Sequence, residues 1–210
     1  MNFDLSGEQE QIRDSVGRFG AAANRRALRS LPGGYSLERW REMAELGLLA
    51  LAVPEAAGGM GGSPIDLAIV AEALGNAIAP DPWLENGVLP ARLLCAAGRH
   101  DLIESAQSGE TFFAFAFAER ARRFSLEPRA VVIEAAPGGD ELRGEKTFVS
   151  GGALADRLLC WPTAGGRRRS SRFPPPAQAS SITPIAWPMA ASPTKCASTG
   201  FRLRAMPILP

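Results

Sequence analysis

The spacing of apolar residues changes once along this chain, near residue 110, and that change restricts the folds open to it. Before it, apolar positions recur every three or four residues; after it they alternate. Ser6 with Gln9 forms a capping-box pattern, and Ile12, Val16 and Phe19 follow on one face, which predicts a helix over about 7–26. Leu31-Pro32-Gly33-Gly34 breaks it. Ser36 caps a second helix carrying Leu37, Trp40, Met43 and Ala44, with a glycine stop at Leu46-Gly47. An apolar run over 48–53 leads through Pro54 into the loop Gly58-Gly59-Met60-Gly61-Gly62. Ser63-Pro64 then opens a third helix, with Ile65, Ala68, Ile69, Glu72 and Ala73 running to Gly75. A fourth helix is expected over about 83–97 and a fifth over 101–107, stopping at Gly109.

From Phe113 the sequence Phe113-Ala114-Phe115-Ala116-Phe117-Ala118 alternates aromatic and small residues, the pattern of a strand. A β-branched run over 130–135, a turn at Pro137-Gly138-Gly139-Asp140, and segments 142–150 and 155–161 supply three more. Helices first and strands second make an α+β arrangement, not an alternating one. The expected organisation is a helical domain over 1–110, a partial antiparallel β-domain over 111–159, and a tail over 160–210.

The tail is set apart by charge. Residues 160–210 hold seven basic residues and no acidic one, whereas residues 1–159 carry a net charge of −6, so the formal total of +1 is a cancellation. Nine of the 17 prolines also lie in the tail, which reads as a disordered Pro/Arg/Ser-rich segment. Its basic cluster, Arg167-Arg168-Arg169 with Arg172, has no nucleic-acid-binding fold around it. Three widely spaced cysteines and one histidine fit neither a disulfide framework nor a metal site. The start lacks a basic region followed by an apolar stretch, and no run reaches the roughly 18 apolar residues of a membrane span. The expectation is a cytoplasmic protein without metal, nucleic-acid or membrane partners.

Most polar candidates have ordinary readings. The glycine loop at 58–62 lacks the Lys-Ser/Thr of a phosphate-binding loop and reads as an interhelical connection. Glu8, Glu10, Asp14, Glu38, Glu42 and Glu45 fall opposite the apolar stripes and read as a solvated face. His100 reads as a surface residue and Cys95 as a small core filler. The stripe Phe113, Phe115, Phe117 reads first as sheet core; the other reading is a wall for a flat heterocycle.

Four segments in order resemble the acyl-CoA dehydrogenase family over about residues 1–159. They are Phe3-x-Leu5-Ser6-x-Glu8-Gln9; Leu46-Gly47-Leu48-Leu49-Ala50-Leu51-Ala52-Val53-Pro54-Glu55-x-x-Gly58-Gly59-x-Gly61; Leu67-Ala68-Ile69-Val70-x-Glu72-x-Leu74-Gly75; and Gly144-Glu145-Lys146-Thr147-Phe148-Val149-Ser150-Gly151. The resemblance implies FAD as cofactor, acyl-CoA thioesters as substrates, and α,β-dehydrogenation, in which a glutamate removes the α-proton. It also implies homo- or hetero-oligomers with another acyl-CoA dehydrogenase. Carried onto this sequence, it puts Phe148 at the flavin-stacking aromatic, Ser150 at a hydroxyl donor, and Phe115, Phe117 and Ala118 on the strand beside the flavin's pyrimidine side.

The sequence also departs from the family. Where typical members read Thr-Glu-Pro-x-x-Gly-Ser-Asp, this chain reads Ala118-Glu119-Arg120-Ala121-Arg122-Arg123-Phe124-Ser125. The threonine hydroxyl is replaced at Ala118 and the serine by Phe124. Such drift resembles the small or partner subunits of heteromeric acyl-CoA dehydrogenases. No segment matches the helical bundle that carries the catalytic glutamate, so no catalytic residue is assigned. The expectation is a truncated form inactive alone, with a non-catalytic partner subunit as the alternative. The tail has the composition of a GC-rich gene read in a shifted frame, or of a basic extension on an interaction subunit.

Overall fold

The computed structural model describes residues 4–28, 30–31, 35–122, 125, 128–136, 139–152, 154–160, 163–164, 182–184 and 201–207. Helix α1 spans Gly7–Ala21, and its capping box forms as the sequence predicts: Gln9 N donates to Ser6 Oγ and Ser6 N to Gln9 Oε1. Helix α4, Pro64–Asn76, opens with a second box between Ser63 and Asp66. Gln9 Nε2 donates to Asp66 Oδ1 at 2.9 Å, so the two caps are joined where the helices pack. Hydrogen bonds from the Gln9 side chain and from Ser63 hold the Asp66 carboxyl below the usual range.

The first helix is shorter than its periodicity predicts. Asn24 Oδ1 accepts from Ala27 N and starts a separate short helix, α2, Arg25–Leu28. Helix α3, Leu37–Glu45, buries Trp40 and Met43 against Val16, Phe19, Val70 and Leu74. Arg39 lies beside them in a bidentate pair with Asp81, at 3.0 and 2.8 Å. Its guanidinium also donates to Phe19 O and stands 3.9 Å from the Phe19 ring centroid, so one side chain ties α1, α3 and the turn before residue 83.

The expected fourth helix begins as a π-helix over Trp83–Val88 and becomes α5 over Leu89–Ala96. Pro90 has no N–H for the carbonyl four residues back, and Leu89 N reaches five residues back to Leu84 O. This widened turn buries Trp83, Asn86, Gly87 and Val88 together, with Trp83 Nε1 donating to Leu48 O. A 3₁₀ turn, His100–Leu102, leads into α6, Ile103–Gln107.

The strands fall into two sheets. In the first, β1 (Phe113–Ala116), β4 (Arg157–Cys160) and β6 (Ile182–Pro184) are ordered β1-β4-β6. In the second, β2 (Val132–Ala136), β3 (Gly139–Lys146), β5 (Thr163–Ala164) and β7 (Phe201–Pro207) are ordered β5-β2-β3-β7. The antiparallel pattern holds for β2–β3, β3–β7 and β4–β6, whereas β1–β4 and β2–β5 run parallel. The β1–β4 pair can run parallel because the β2–β3 hairpin intervenes in sequence between the two strands and belongs to the other sheet. Strands β5, β6 and β7 lie in the segment expected to be disordered, whose other residues past 160 are outside the described set, the arginine cluster 167–172 among them.

Val53, Ala91, Leu94, Leu102 and Ile103 pack with Phe113 and Leu159, so the helical domain and the first sheet share a core. Among the described residues no helix is long and apolar enough to cross a membrane. Arg39→Met should cost about 3 kcal/mol, because it leaves Asp81, 5% exposed, as an uncompensated buried charge. Urea unfolding should show most of that loss recovered when Asp81→Leu is added.

Candidate cofactor-binding site

The glycine loop is not an anion cradle. All five of its amides donate within the loop's own fold: Gly58 to Glu55 O, Gly59 to Pro54 O, Met60 to Ala50 O, Gly61 to Val53 O and Gly62 to Leu51 O. Glycine is needed for close approach, since a Cβ on Gly59 would stand 2.2 Å from Val53 O. The six carboxylates of α1 and α3 and His100 are exposed. Burial pushes the Cys95 thiol up, away from a reactive thiolate. Among the described residues no cluster of His, Cys, Asp and Glu is suited to a metal. Gly59→Ala should lower stability by about 1–3 kcal/mol in urea unfolding, through overpacking against the Val53 carbonyl.

A different group of residues converges where β1 and β3 end. The alternation of β1 is inverted relative to the sheet-core reading: Ala114, Ala116 and Ala118 are buried, and of the aromatic stripe only Phe113 is. Phe115 and Phe117 are half-buried and stack on each other, with ring centroids 5.3 Å apart and planes 26° apart. The small residues take the side where the other layer presses close. Strand β3 stops at Lys146, short of the expected residue 150, and Phe148 then adopts φ +54 with 57% exposure. A left-handed backbone at a bulky aromatic is strained, and such strain concentrates at functional sites.

The two ends are held together by hydrogen bonds. Thr147 N donates to Ala118 O at 2.8 Å, which sets Phe148 one residue beyond the contact and Phe117 one residue before it. Asn86, on the π-helix and 2% exposed, donates through Nδ2 to Phe113 O at 2.8 Å and Ser150 O at 3.1 Å. The structure thus brings Phe115, Phe117, Ala118, Phe148 and Ser150 to neighbouring positions. Phe124 lies outside the described residues.

Beneath them is an ion pair. Lys146 Nζ stands 2.9 Å from Glu119 Oε1, with the side chains 0% and 4% exposed, and also donates to Phe117 O at 3.2 Å. The Glu119 carboxylate accepts from the amides of Arg129, Ala130 and Val131 at 2.9 to 3.3 Å. Burial pushes the Glu119 carboxyl up, but the Lys146 hydrogen bond and the Ala130 and Arg129 amides outweigh it and hold it below the usual range. Sequence reading singled out neither this pair nor Asn86. No fixed spacing links Lys146 to Glu119; Asn86, three residues after Trp83 in an apolar helical stretch, does carry a signal of burial.

Two polar atoms close to this site, Asn86 Oδ1 and Thr147 Oγ1, are buried without a partner among the described residues. Together with the half-buried aromatic pair, the exposed Phe148 and the half-buried Ser150, they make a site whose chemistry suits a flat heteroaromatic ring with a polar edge.

Residues 6–101 match the family model described as "Acyl-CoA dehydrogenase, N-terminal domain". Over residues 6–101 the chain carries an acyl-CoA dehydrogenase N-terminal domain. Among relatives, FadE27, an acyl-CoA dehydrogenase of Mycobacterium tuberculosis, is 32% identical over 74% of this chain and 41% of its own length. Benzylmalonyl-CoA dehydrogenase of Aromatoleum aromaticum is 27% identical over 82% of this chain and 48% of its own. Among solved structures, the ChsE4-ChsE5 complex of M. tuberculosis superposes with a TM-score of 0.66 at 27% identity, over 79% of this chain and 46% of that one. The fold is also that of a Bacillus anthracis acyl-CoA dehydrogenase complexed with FAD, with a TM-score of 0.68 at 23% identity over 78% of this chain and 30% of that one. The chain spans about half the length of these curated relatives.

A site built on a buried carboxylate has a defined pH dependence. Because the Glu119 carboxyl is depressed on folding, its stabilising contribution is fully present above the ordinary glutamate range and is lost as pH falls through the depressed value. Urea midpoints should fall on acidification from neutral pH, and Glu119→Gln should flatten that dependence.

Proposed function

We propose that this chain supplies one side of an FAD site in an acyl-CoA dehydrogenase, and that it does not turn over acyl-CoA alone. The observation that carries the reading is the Thr147-to-Ala118 hydrogen bond, which joins the aromatic strand end at 115–118 to the strained loop at 148–150. When bound, FAD supplies the acceptor for a hydride from the β-carbon of an acyl-CoA thioester. The chain's own residues do the binding and orienting. Phe148 presents an open ring face for stacking, and Ser150 brings a hydroxyl donor to the adjacent turn. Ala118 brings no side-chain donor, so the site holds one hydrogen bond fewer for charge that accumulates on a bound ring than a threonine there would give.

Glu119 is not the base that takes the α-proton. Its carboxylate already accepts from Lys146 and three amides and is 4% exposed. In this reading the base is another residue, on the same polypeptide or on a second subunit. Similarity to a two-component complex favours a second reading, in which this chain pairs with a full-length acyl-CoA dehydrogenase as a non-catalytic partner.

Adding FAD to the purified protein should give a bound-flavin visible band that acyl-CoA leaves unbleached. Phe148→Ala should weaken FAD binding by about tenfold, the scale of one lost stacking contact. Fluorescence titration measures both, and a wild-type protein that takes up no flavin overturns the reading. Bleaching by acyl-CoA overturns the claim of inactivity.

A further inference from the structure

The two halves of the site leave different sheets. Phe115–Ala118 continue β1 of the first sheet, whereas Phe148–Ser150 follow β3 of the second. Residues 117–119 and 147–149 belong to no strand, so ladder hydrogen bonds do not fix their separation. Lys146 and Glu119 cross this gap. From the last residue of β3, Lys146 reaches both Phe117 O and Glu119, and Glu119 gathers the amides of 129–131 that lead into β2. Gly144 allows this approach: at φ +145, a Cβ there would stand 2.3 Å from Ala130 O. Exchanging a buried ion pair for well-packed apolar side chains is often neutral for stability, so the distinctive contribution of such a pair is directional geometry.

We infer that Lys146 and Glu119 are positioning residues that lock the two sheets at the spacing required by a ligand held between Phe115–Ala118 and Phe148–Ser150. For the identity of that ligand the inference rests on the flavin reading above. The lock itself is a property of the protein without ligand. Neither side chain reaches solvent, so they act through Phe117 O, the Thr147-to-Ala118 hydrogen bond and the 129–131 amides.

The test compares wild type, Lys146→Arg and the double variant Glu119→Gln/Lys146→Met by three measurements: urea midpoint, exchange of the Thr147 amide hydrogen, and FAD titration. A positioning role predicts that the double variant unfolds near the wild-type midpoint while its Thr147 amide exchanges at least about tenfold faster and FAD affinity falls about tenfold. Lys146→Arg, which keeps the charge and hydrogen bonding, should restore both. Thr147 exchange at the wild-type rate in the folded double variant overturns the lock. An affinity loss no larger than the loss of stability also overturns it, because that is the signature of a structural role alone. If the double variant does not fold, Glu119→Gln alone, which keeps the size and an acceptor, carries the exchange measurement with the same two outcomes. Wild type that binds no FAD overturns the flavin reading, and Thr147 exchange still decides the lock.

Discussion

A lysine ammonium and a glutamate carboxylate removed from water at 0% and 4% exposure each carry a desolvation penalty of several kcal/mol, on general grounds. Everything around them answers that penalty with hydrogen bonds. Three backbone amides and the Lys146 ammonium converge on the Glu119 carboxylate, and the ammonium uses a second proton on Phe117 O. These bonds specify the path of the backbone on both sides. Residues 117–119, 129–131 and 146–147 are ordered by one polar centre that a purely apolar core would not order, because dispersion contacts carry little direction.

The helical domain bears on this centre from the other side. Asn86 reaches the site because Pro90 interrupts the ordinary hydrogen-bond register and the helix opens into a π turn, which buries Asn86 alongside Trp83. Its amide bridges Phe113 O and Ser150 O, and a Cβ on Gly151 would come within 2.6 Å of it. The shared core of Val53, Leu94, Ile103, Phe113 and Leu159 holds the helices against the first sheet, so the Asn86 bridge is made between fixed bodies. The site thus depends on both parts of the fold, although its named residues lie at and just beyond the ends of β1 and β3.

How much of this could be read in the sequence follows from which interactions are local. Caps and stops are local, and Ser6, Ser36 and Ser63 all cap where the spacing places them. Element lengths were less legible, since Asn24 starts a second helix within an unbroken apolar period and Pro90 changes a helix type. The aromatic stripe marked a strand, but alternation does not say which face is the crowded one; the alanines are buried because the neighbouring layer is close. Family motifs drew attention to Phe148 and Ser150, whereas the charges beneath them are paired across 27 residues with no pattern to announce the pairing.

The strain at Phe148 closes the account. A non-glycine residue at φ +54 costs on the order of 1–3 kcal/mol and persists only where its surroundings over-determine it. Here both flanks are pinned: Thr147 N is held by Ala118 O, and Ser150 O is held by Asn86. Between those pins the ring is left 57% exposed, although burying it would recover apolar surface. A buried ion pair and a buried amide thus fix the backbone on either side of an exposed, strained aromatic. Relieving the strain with glycine would remove the ring itself, so conformation and contact surface at this position cannot be optimised separately.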